Sequence, residues 1–173
     1  MEIVPFTIII DTREKLPYTF ADIRTERKKA FVLTSVSTLP TGDYSIAGYE
    51  NRICVERKSL EDLYHTLISG RDRFADELLR MQEFDRSIVM IEAGWQQIAN
   101  PELHDPTWHY SAHPNSVIGT IISFAGKYPK TYWKAAGSRS AAQKETFKYL
   151  LSYYNHHITP HDNSETQRPL DGG

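Results

Sequence analysis

Short apolar runs separated by polar turns alternate with amphipathic stretches along this chain. Four runs are short and rich in β-branched or aromatic residues, and each therefore predicts a β-strand: residues 7–11, 31–36, 87–92 and 130–135. Residues 43–47 and 52–58 flank the turn-like sequence at 48–51, so they predict a hairpin.

Helical spacing of apolar residues appears in four further stretches. A first helix is predicted from Ser59 and a second from beyond Gly70 to about Phe84. A third, capped by Asn115, is predicted to run through Ala125, and Ser138 is predicted to cap a last one. The inward positions of the third helix are predicted to be Ile118, Ile121, Ile122 and Ala125; those of the last are Phe147, Leu150, Leu151 and Tyr154. Residues 94–116 carry three prolines and fit no single element.

This order of elements predicts an α/β fold in which helices flank a mixed central sheet. A chain of 173 residues fits one domain. We assign that domain to residues 1–155. Residues 156–173 have no periodicity and are expected to form a flexible polar tail.

The overall charge does not indicate a nucleic-acid binder, because the net charge is −2 and the isoelectric point is near 6.4. The charge is uneven, however: residues 87–126 contain no lysine or arginine, whereas residues 127–148 hold six against one glutamate. Two interpretations stay open, a solvated helix face with a loop or a patch that follows DNA. The DNA-binding candidates are Lys130, Lys134, Lys144 and Lys148.

The single cysteine, Cys54, excludes an internal disulfide and fits a reducing compartment. No apolar run approaches membrane-spanning length, and the first residues lack a basic leader. We therefore expect an intracellular protein, in the cytoplasm or nucleoid, or in the nucleus if the source is eukaryotic.

Charged residues on the second strand of the predicted hairpin suggest a metal-binding or catalytic site. Side chains alternate between the two faces of a strand, so Glu56 and Lys58 share one face and Arg57 lies on the other. Asp43, on the neighbouring strand, adds a second carboxylate. Two carboxylates and an ammonium can hold a divalent cation and a water molecule against a phosphodiester.

The pattern Gly42-Asp43, twelve residues, Glu56-Arg57-Lys58-x-x-x-Asp62 resembles the signature of XPF-type structure-specific endonucleases. Asp11-Thr12-Arg13-Glu14, Ser69-Gly70-Arg71 and residues 87–92 resemble that family in order and spacing, so the resemblance covers about residues 7–155. It implies a restriction-endonuclease-like three-layer sandwich and a metal-dependent endonuclease that cuts branched or flapped DNA in repair or recombination. It also implies a homodimer or heterodimer formed through the C-terminal helices.

The proposed roles follow the chemistry of each side chain. Asp43 and Glu56 are the expected ligands of Mg²⁺, for which Mn²⁺ is expected to substitute, and Lys58 would orient water or neutralise charge at phosphorus. Asp11 would hold a second ion or lie in the outer coordination sphere, where partners orient the direct ligands. The supporting or DNA-contacting candidates are Arg13, Glu14, Arg57, Asp62 and Arg71.

Each role has a structural alternative. Asp43 can serve a turn, and Glu56 with Lys58 can form a half-exposed strand face. Asp62 fits a capping box with Ser59, which we favour over a direct metal contact. A structural ion pair is favoured for Arg57, while Arg71 is either a phosphate contact or a surface arginine.

Three functions remain at this point. The favoured one is a junction-cutting endonuclease. The alternatives are a resolvase or nicking nuclease of phage-like DNA metabolism and a non-catalytic DNA-binding or scaffolding subunit of a nuclease heterodimer. The related nucleases often carry helix–hairpin–helix motifs after the nuclease domain, and this chain ends too soon to hold one. We therefore expect modest affinity for plain duplex DNA.

Overall fold

The computed structural model describes residues 2–25, 28–110 and 112–158. Six strands occupy the predicted positions: β1 (Glu2–Asp11), β2 (Ala30–Ser37), β3 (Tyr44–Ile46), β4 (Ile53–Lys58), β5 (Arg86–Ile91) and β6 (Thr131–Ala135). β1 starts five residues earlier than the apolar run at 7–11 predicts, because residues 2 and 3 pair with Ala30 and Phe31 of β2.

The strands form one mixed sheet in the order β2-β1-β3-β4-β5-β6. β3 is antiparallel to both of its neighbours. The other pairs are parallel: β1 with β2, β4 with β5, and β5 with β6. β1, β2, β4, β5 and β6 therefore all point the same way, and β3 begins at the edge where they end. This edge, which we call the carboxyl edge, is where ligands bind in many open α/β sheets.

Helices cover both faces of the sheet and enclose two apolar cores. One core lies beneath α6 (Arg139–Tyr153), whose Phe147, Leu150 and Tyr153 pack on Ile8 and Val55. The other lies beneath α1 (Leu60–Ile68), α2 (Arg71–Met81) and α5 (Pro114–Lys127), which pack on alternate residues of β4 and β5. The predicted three-layer α/β architecture is confirmed. Cys54 is fully buried in the second core, as a small hydrophobic residue would be.

Helix α5 differs from its prediction in its N-cap and at one inward position. His113, rather than Asn115, is the N-cap: its Nδ1 accepts the Asn115 N–H at 3.2 Å, and Pro114 takes the first helical position, where its missing N–H costs nothing. The buried residues are Val117, Thr120, Ile121 and Phe124. Ile122 was predicted to face inward, but its side chain is 68% exposed.

The stretch left unassigned by the sequence contains two short helices, α3 (Trp95–Ala99) and α4 (Pro101–His104). Beyond α6 a π-helical turn continues over Tyr154–Ile158. The rest of the predicted tail lies outside the described residues. Among the helices of the described ranges, none has the length and apolar character needed to cross a membrane.

Candidate active site

The carboxyl edge gathers the charged residues of three separate sequence motifs. Asp11 ends β1, Lys58 ends β4, and Asp43 directly precedes β3, which begins at the same edge. A backbone hydrogen bond from the Asp11 N–H to the Asp43 carbonyl, 2.9 Å long, joins the motif of Asp11 to that of Asp43. The fold thus brings together residues that are far apart in sequence.

Gly42 fixes the position of Asp43. Its φ is +79°, and a Cβ at this residue would lie 3.0 Å from the Val55 carbonyl oxygen, so a side chain would be both strained and obstructed. The Asp43 N–H donates to that same carbonyl at 2.8 Å. One oxygen of the Asp43 carboxylate, Oδ2, accepts the Arg57 N–H at 2.7 Å, which holds the carboxylate against the end of β4.

Glu56 and Lys58 lie side by side on the same face of β4, as strand alternation predicts. The Lys58 ammonium donates to Oε1 of Glu56 at 2.5 Å, and the two side chains are 12% and 8% exposed. Within the described ranges, this is the one hydrogen bond that the Glu56 carboxylate makes, and Oδ1 of Asp43 accepts none. Each carboxylate therefore keeps an uncommitted oxygen.

Burial makes both carboxylates resist ionisation. Desolvation raises the pKa of Asp43 to about 7, against the lowering effect of the Arg57 N–H. Desolvation and then the neighbouring charge of Asp43 raise the pKa of Glu56 well above its usual value, and Lys58 offsets only part of this. The pKa of Lys58 is raised despite its burial, because the Glu56 charge stabilises the ammonium. A cation placed between the two carboxylates would relieve this unfavourable electrostatics.

The Asp11 carboxylate accepts hydrogen bonds at both of its oxygens. Its Oδ1 accepts from the backbone N–H and Nε of Arg13, and its Oδ2 accepts from Nη2 of Arg13 and the Leu39 N–H, at 2.7 to 3.1 Å. Burial opposes but does not outweigh these bonds, which lower the pKa of Asp11. Through these bonds Asp11 organises Arg13 and the turn at Leu39, and its role towards a metal ion stays a prediction.

Arg57 lies on the opposite face of β4, where it joins the ends of β1 and β5. Its guanidinium donates to both oxygens of Glu14 and contacts Glu92 at 3.1 Å. Glu92 in turn binds Arg139 at 2.7 Å, and Arg139 donates to the carbonyls of residues 16 and 17. The structural ion pair predicted for Arg57 is thus present, in a network that braces the carboxyl edge.

The two remaining motif residues lie on the helices beside the site. The Ser59 hydroxyl accepts the Asp62 N–H at 3.0 Å, so Ser59 caps the helix as predicted. The Asp62 carboxylate accepts from this hydroxyl at 2.8 Å, in place of the Ser59 N–H that a full capping box would use. Arg71 is exposed at the first turn of α2, with its guanidinium carbon 5.4 Å from the centre of the Phe124 ring. Its exposure leaves it accessible to a phosphate.

The structure does not gather the four candidate DNA-binding lysines into one patch. Lys134 lies near the end of β6 at the carboxyl edge, and Lys144 is exposed in the first half of α6. Lys130 precedes β6 at the opposite edge, where its ammonium donates to the Gln82 carbonyl at 2.8 Å. Lys148 pairs with Glu145 and lines a groove with Glu2 and Val4, at the start of β1.

Sequence reasoning missed two acidic residues that act on the site. Glu77 of α2 adds negative charge that raises the pKa of Glu56 and of Lys58, and Glu92 forms part of the Arg57 network. Glu92 was visible as the polar end of an apolar strand. Glu77 lies one helical turn after Phe74, and this spacing alone did not distinguish it from a solvated helix position.

The side chains fit a cation bound mainly by two carboxylates and water. No group of three or more His, Cys, Asp or Glu side chains with metal-binding geometry occurs in the described ranges. Mg²⁺ does not require one, because it usually keeps several waters and binds one or two carboxylates. The uncommitted oxygens of Asp43 and Glu56 supply that number.

Comparisons with known proteins agree with this description of the fold and motifs. A search of curated proteins gives no match. Among solved structures, XPF from Aeropyrum pernix in complex with DNA is similar, with a TM-score of 0.56 and 17% identity over 87% of this chain. This chain spans 65% of the length of that one. The model of the ERCC4 domain matches residues 10–153, and the chain therefore belongs to the ERCC4 domain family.

Proposed function

We propose that this protein is a divalent-metal-dependent DNA endonuclease that cuts branched or flapped DNA near the junction. Members of the ERCC4 family are nucleases, and the similar structure from Aeropyrum pernix is an XPF protein with DNA. The observation that carries the proposal is the carboxylate pair of half-buried Asp43 and buried Glu56, with free oxygens, beside the ammonium of Lys58. A purely structural role would not favour two carboxylates shielded from water with so few donors.

Asp43 and Glu56 would hold Mg²⁺, or Mn²⁺ in its place. When bound, such an ion polarises a phosphoryl oxygen, activates a water molecule and stabilises the leaving oxygen. The protein supplies the geometry: Gly42 and the Arg57 N–H fix Asp43, and strand β4 fixes Glu56. Because the site is formed at strand ends, its ligands are held more rigidly than ligands on a loop would be.

Lys58 would contact the phosphate directly. One N–H of its ammonium donates to Glu56, which leaves two N–H groups for phosphate oxygens or the attacking water. A fixed positive charge at this position stabilises negative charge that develops on the phosphoryl group. Arg71, exposed at the start of α2, is a candidate for a neighbouring phosphate of the same strand.

Branched substrates suit this site because the scissile strand must be distorted to reach carboxylates buried at the sheet edge. Flaps, gaps and junctions bend easily at the discontinuity, which lowers the cost of that distortion. Lys134 and Lys144, near the carboxyl edge and the first half of α6, are the candidates for holding a duplex arm. Cleavage of flap, fork, four-way and linear duplex DNA, with Mg²⁺ and then with chelator, tests the proposal.

We also propose that the protein acts as a dimer, with itself or with a related subunit, through the C-terminal helices. A large apolar side chain on the outer side of α5 supports this, since Ile122 is 68% exposed. A two-fold contact is the commonest way to cover such a surface.

A further inference from the structure

The Lys58 ammonium has a second neighbour besides Glu56, an aromatic ring contributed by α2. Its Nζ lies over the face of Phe74, 4.8 Å from the ring centre. At this distance the negative face of the ring attracts a cation, and the attraction grows when the cation is shielded from water. Lys58 is shielded, since its side chain is 12% exposed.

Phe74 is itself held rigidly. Its side chain is 2% exposed. Trp133 of β6 meets it edge-on, with ring centres 6.0 Å apart, and Phe124 of α5 lies at 6.3 Å. A ring packed against two elements has little freedom to move away from the ammonium. The orientation of Phe74 is therefore set by β6 and α5.

Two directed contacts restrict the conformation of a flexible lysine side chain more than one contact does. The bond to Glu56 alone would allow the four-carbon stem of Lys58 to rotate about the carboxylate. The ring face of Phe74 removes that freedom by fixing a second direction of approach. We propose that Phe74 is a positioning residue that seats the Lys58 ammonium beside Glu56, an inference that rests on the proposed nuclease function for its catalytic consequence.

The neighbouring ring of Phe124 contacts a different cation. The guanidinium carbon of Arg71 lies 5.4 Å from the centre of the Phe124 ring, and this ring also contacts Phe74. Fluorination of Phe124 would therefore affect both Arg71 and the packing of Phe74. Phe147 of α6 provides a matched control, because it has the same residue type, is also 2% exposed and lies in the other core.

The test replaces Phe74 by phenylalanines with one, two and three ring fluorines, which weaken the negative face of the ring with little change of shape. Across this series we expect kcat for flap cleavage to fall in steps, on the order of ten-fold in total, with KM and thermal stability nearly constant. The same series at Phe147 should leave kcat unchanged. A flat kcat at Phe74, or an equal fall in both series, would overturn the proposal.

A second readout does not need catalysis. In the intact protein, NMR of the Lys58 ε-methylene should show a ring-current shift and a high order parameter, and Phe74→Leu should abolish the first and lower the second. The trifluorinated ring should lower the order parameter while the fold is kept. Unchanged Lys58 signals in both variants would refute the proposal that Phe74 positions the Lys58 ammonium. If the wild-type protein cuts no DNA, the proposed function fails, and these NMR signals still decide whether Phe74 seats Lys58.

Discussion

Arg57 and Glu14 form a two-bond ion pair, with Nε–Oε2 and Nη2–Oε1 distances of 2.7 and 3.1 Å. Their side chains are 9% and 4% exposed, so the pair is shielded from water. It joins the loop after β1 to the end of β4, and Glu92 extends it to β5. Because Asp43 is bound by the backbone of Arg57, this pair braces the residue that anchors the proposed metal ligand.

Removing the Arg57 guanidinium should strongly destabilise the fold. Arg57→Ala leaves Glu14 buried without its partner and leaves Glu92 with Arg139 alone, and we expect a loss of about 3–5 kcal/mol in the free energy of unfolding. Arg52→Ala is the matched control, because its pair with Asp85 is exposed (62% and 33%). It should cost less than about 1 kcal/mol. Urea unfolding measures both, and similar losses would contradict the role given to Arg57.

The metal-free protein should lose stability as the pH rises from about 4 to 7. The pKa of Asp43 is raised from 3.8 to about 7 in the folded state, so over this range the folded state holds a proton that the unfolded state has released. Deprotonating the buried group then weakens the fold. Urea unfolding in chelator should show this decline, and Asp43→Asn should flatten it.

Adding Mg²⁺ at pH 8 should restore stability to the wild-type protein, because the ion binds the folded state and favours the ionised carboxylates. Asp43→Asn should respond much less. If wild-type stability instead rises between about pH 4 and 7 without metal, ionisation of Asp43 does not destabilise the fold.

The site variants should separate chemistry from folding. Asp43→Ala or Glu56→Gln should lower cleavage by at least about 10³-fold with thermal stability near wild type, since each removes one of two repelling carboxylates. Lys58→Met should reduce turnover more than DNA affinity. Asp62→Asn is the control: as a helix-capping residue it should keep cleavage within a few-fold of wild type. Cleavage kinetics and a thermal melt of each variant decide this, and full activity in Asp43→Ala would exclude the assignment.

Two lysines at opposite edges of the sheet provide a matched test of the DNA path. Lys134→Gln, at the carboxyl edge, should weaken binding of all sequences alike and reduce the salt slope by about one. Lys130→Gln, at the far edge, should leave both unchanged. Fluorescence anisotropy over a range of salt concentrations measures the slopes. Equal effects of the two substitutions would mean that DNA does not follow the carboxyl edge.

The sequence predicted the strands and the pairing of Glu56 with Lys58 because strand alternation is a strict period of two. On α5 it predicted Ile121 correctly but wrongly placed Ile122 inward, because Val117, Ile121 and Phe124 compete with an equally apolar set that includes Ile118 and Ile122. The choice between these faces depends on how the helix packs on β5 and β6, which is tertiary information.

The contacts of Asp11 and Lys130 are also set by the tertiary structure, so the sequence pattern did not predict them. Arg13 lies two residues from Asp11, but only the turn geometry determines that its guanidinium and the Leu39 N–H fill the carboxylate. Composition alone groups Lys130 with Lys134. Lys130 precedes β6 and Lys134 lies near its end, so the two lysines lie near opposite edges of the sheet.

Cleavage of matched branched and linear substrates tests the central claim most directly. A labelled flap, and a linear duplex of the same sequence, are incubated at fixed salt with Mg²⁺, with chelator, and with the Glu56→Gln variant. We predict that the wild-type protein cuts the flap faster, near the branch point and with little dependence on base sequence, and that chelator or Glu56→Gln abolishes cutting. Equal cutting of linear duplex, cutting that follows base sequence, or cutting that survives chelator would contradict this account.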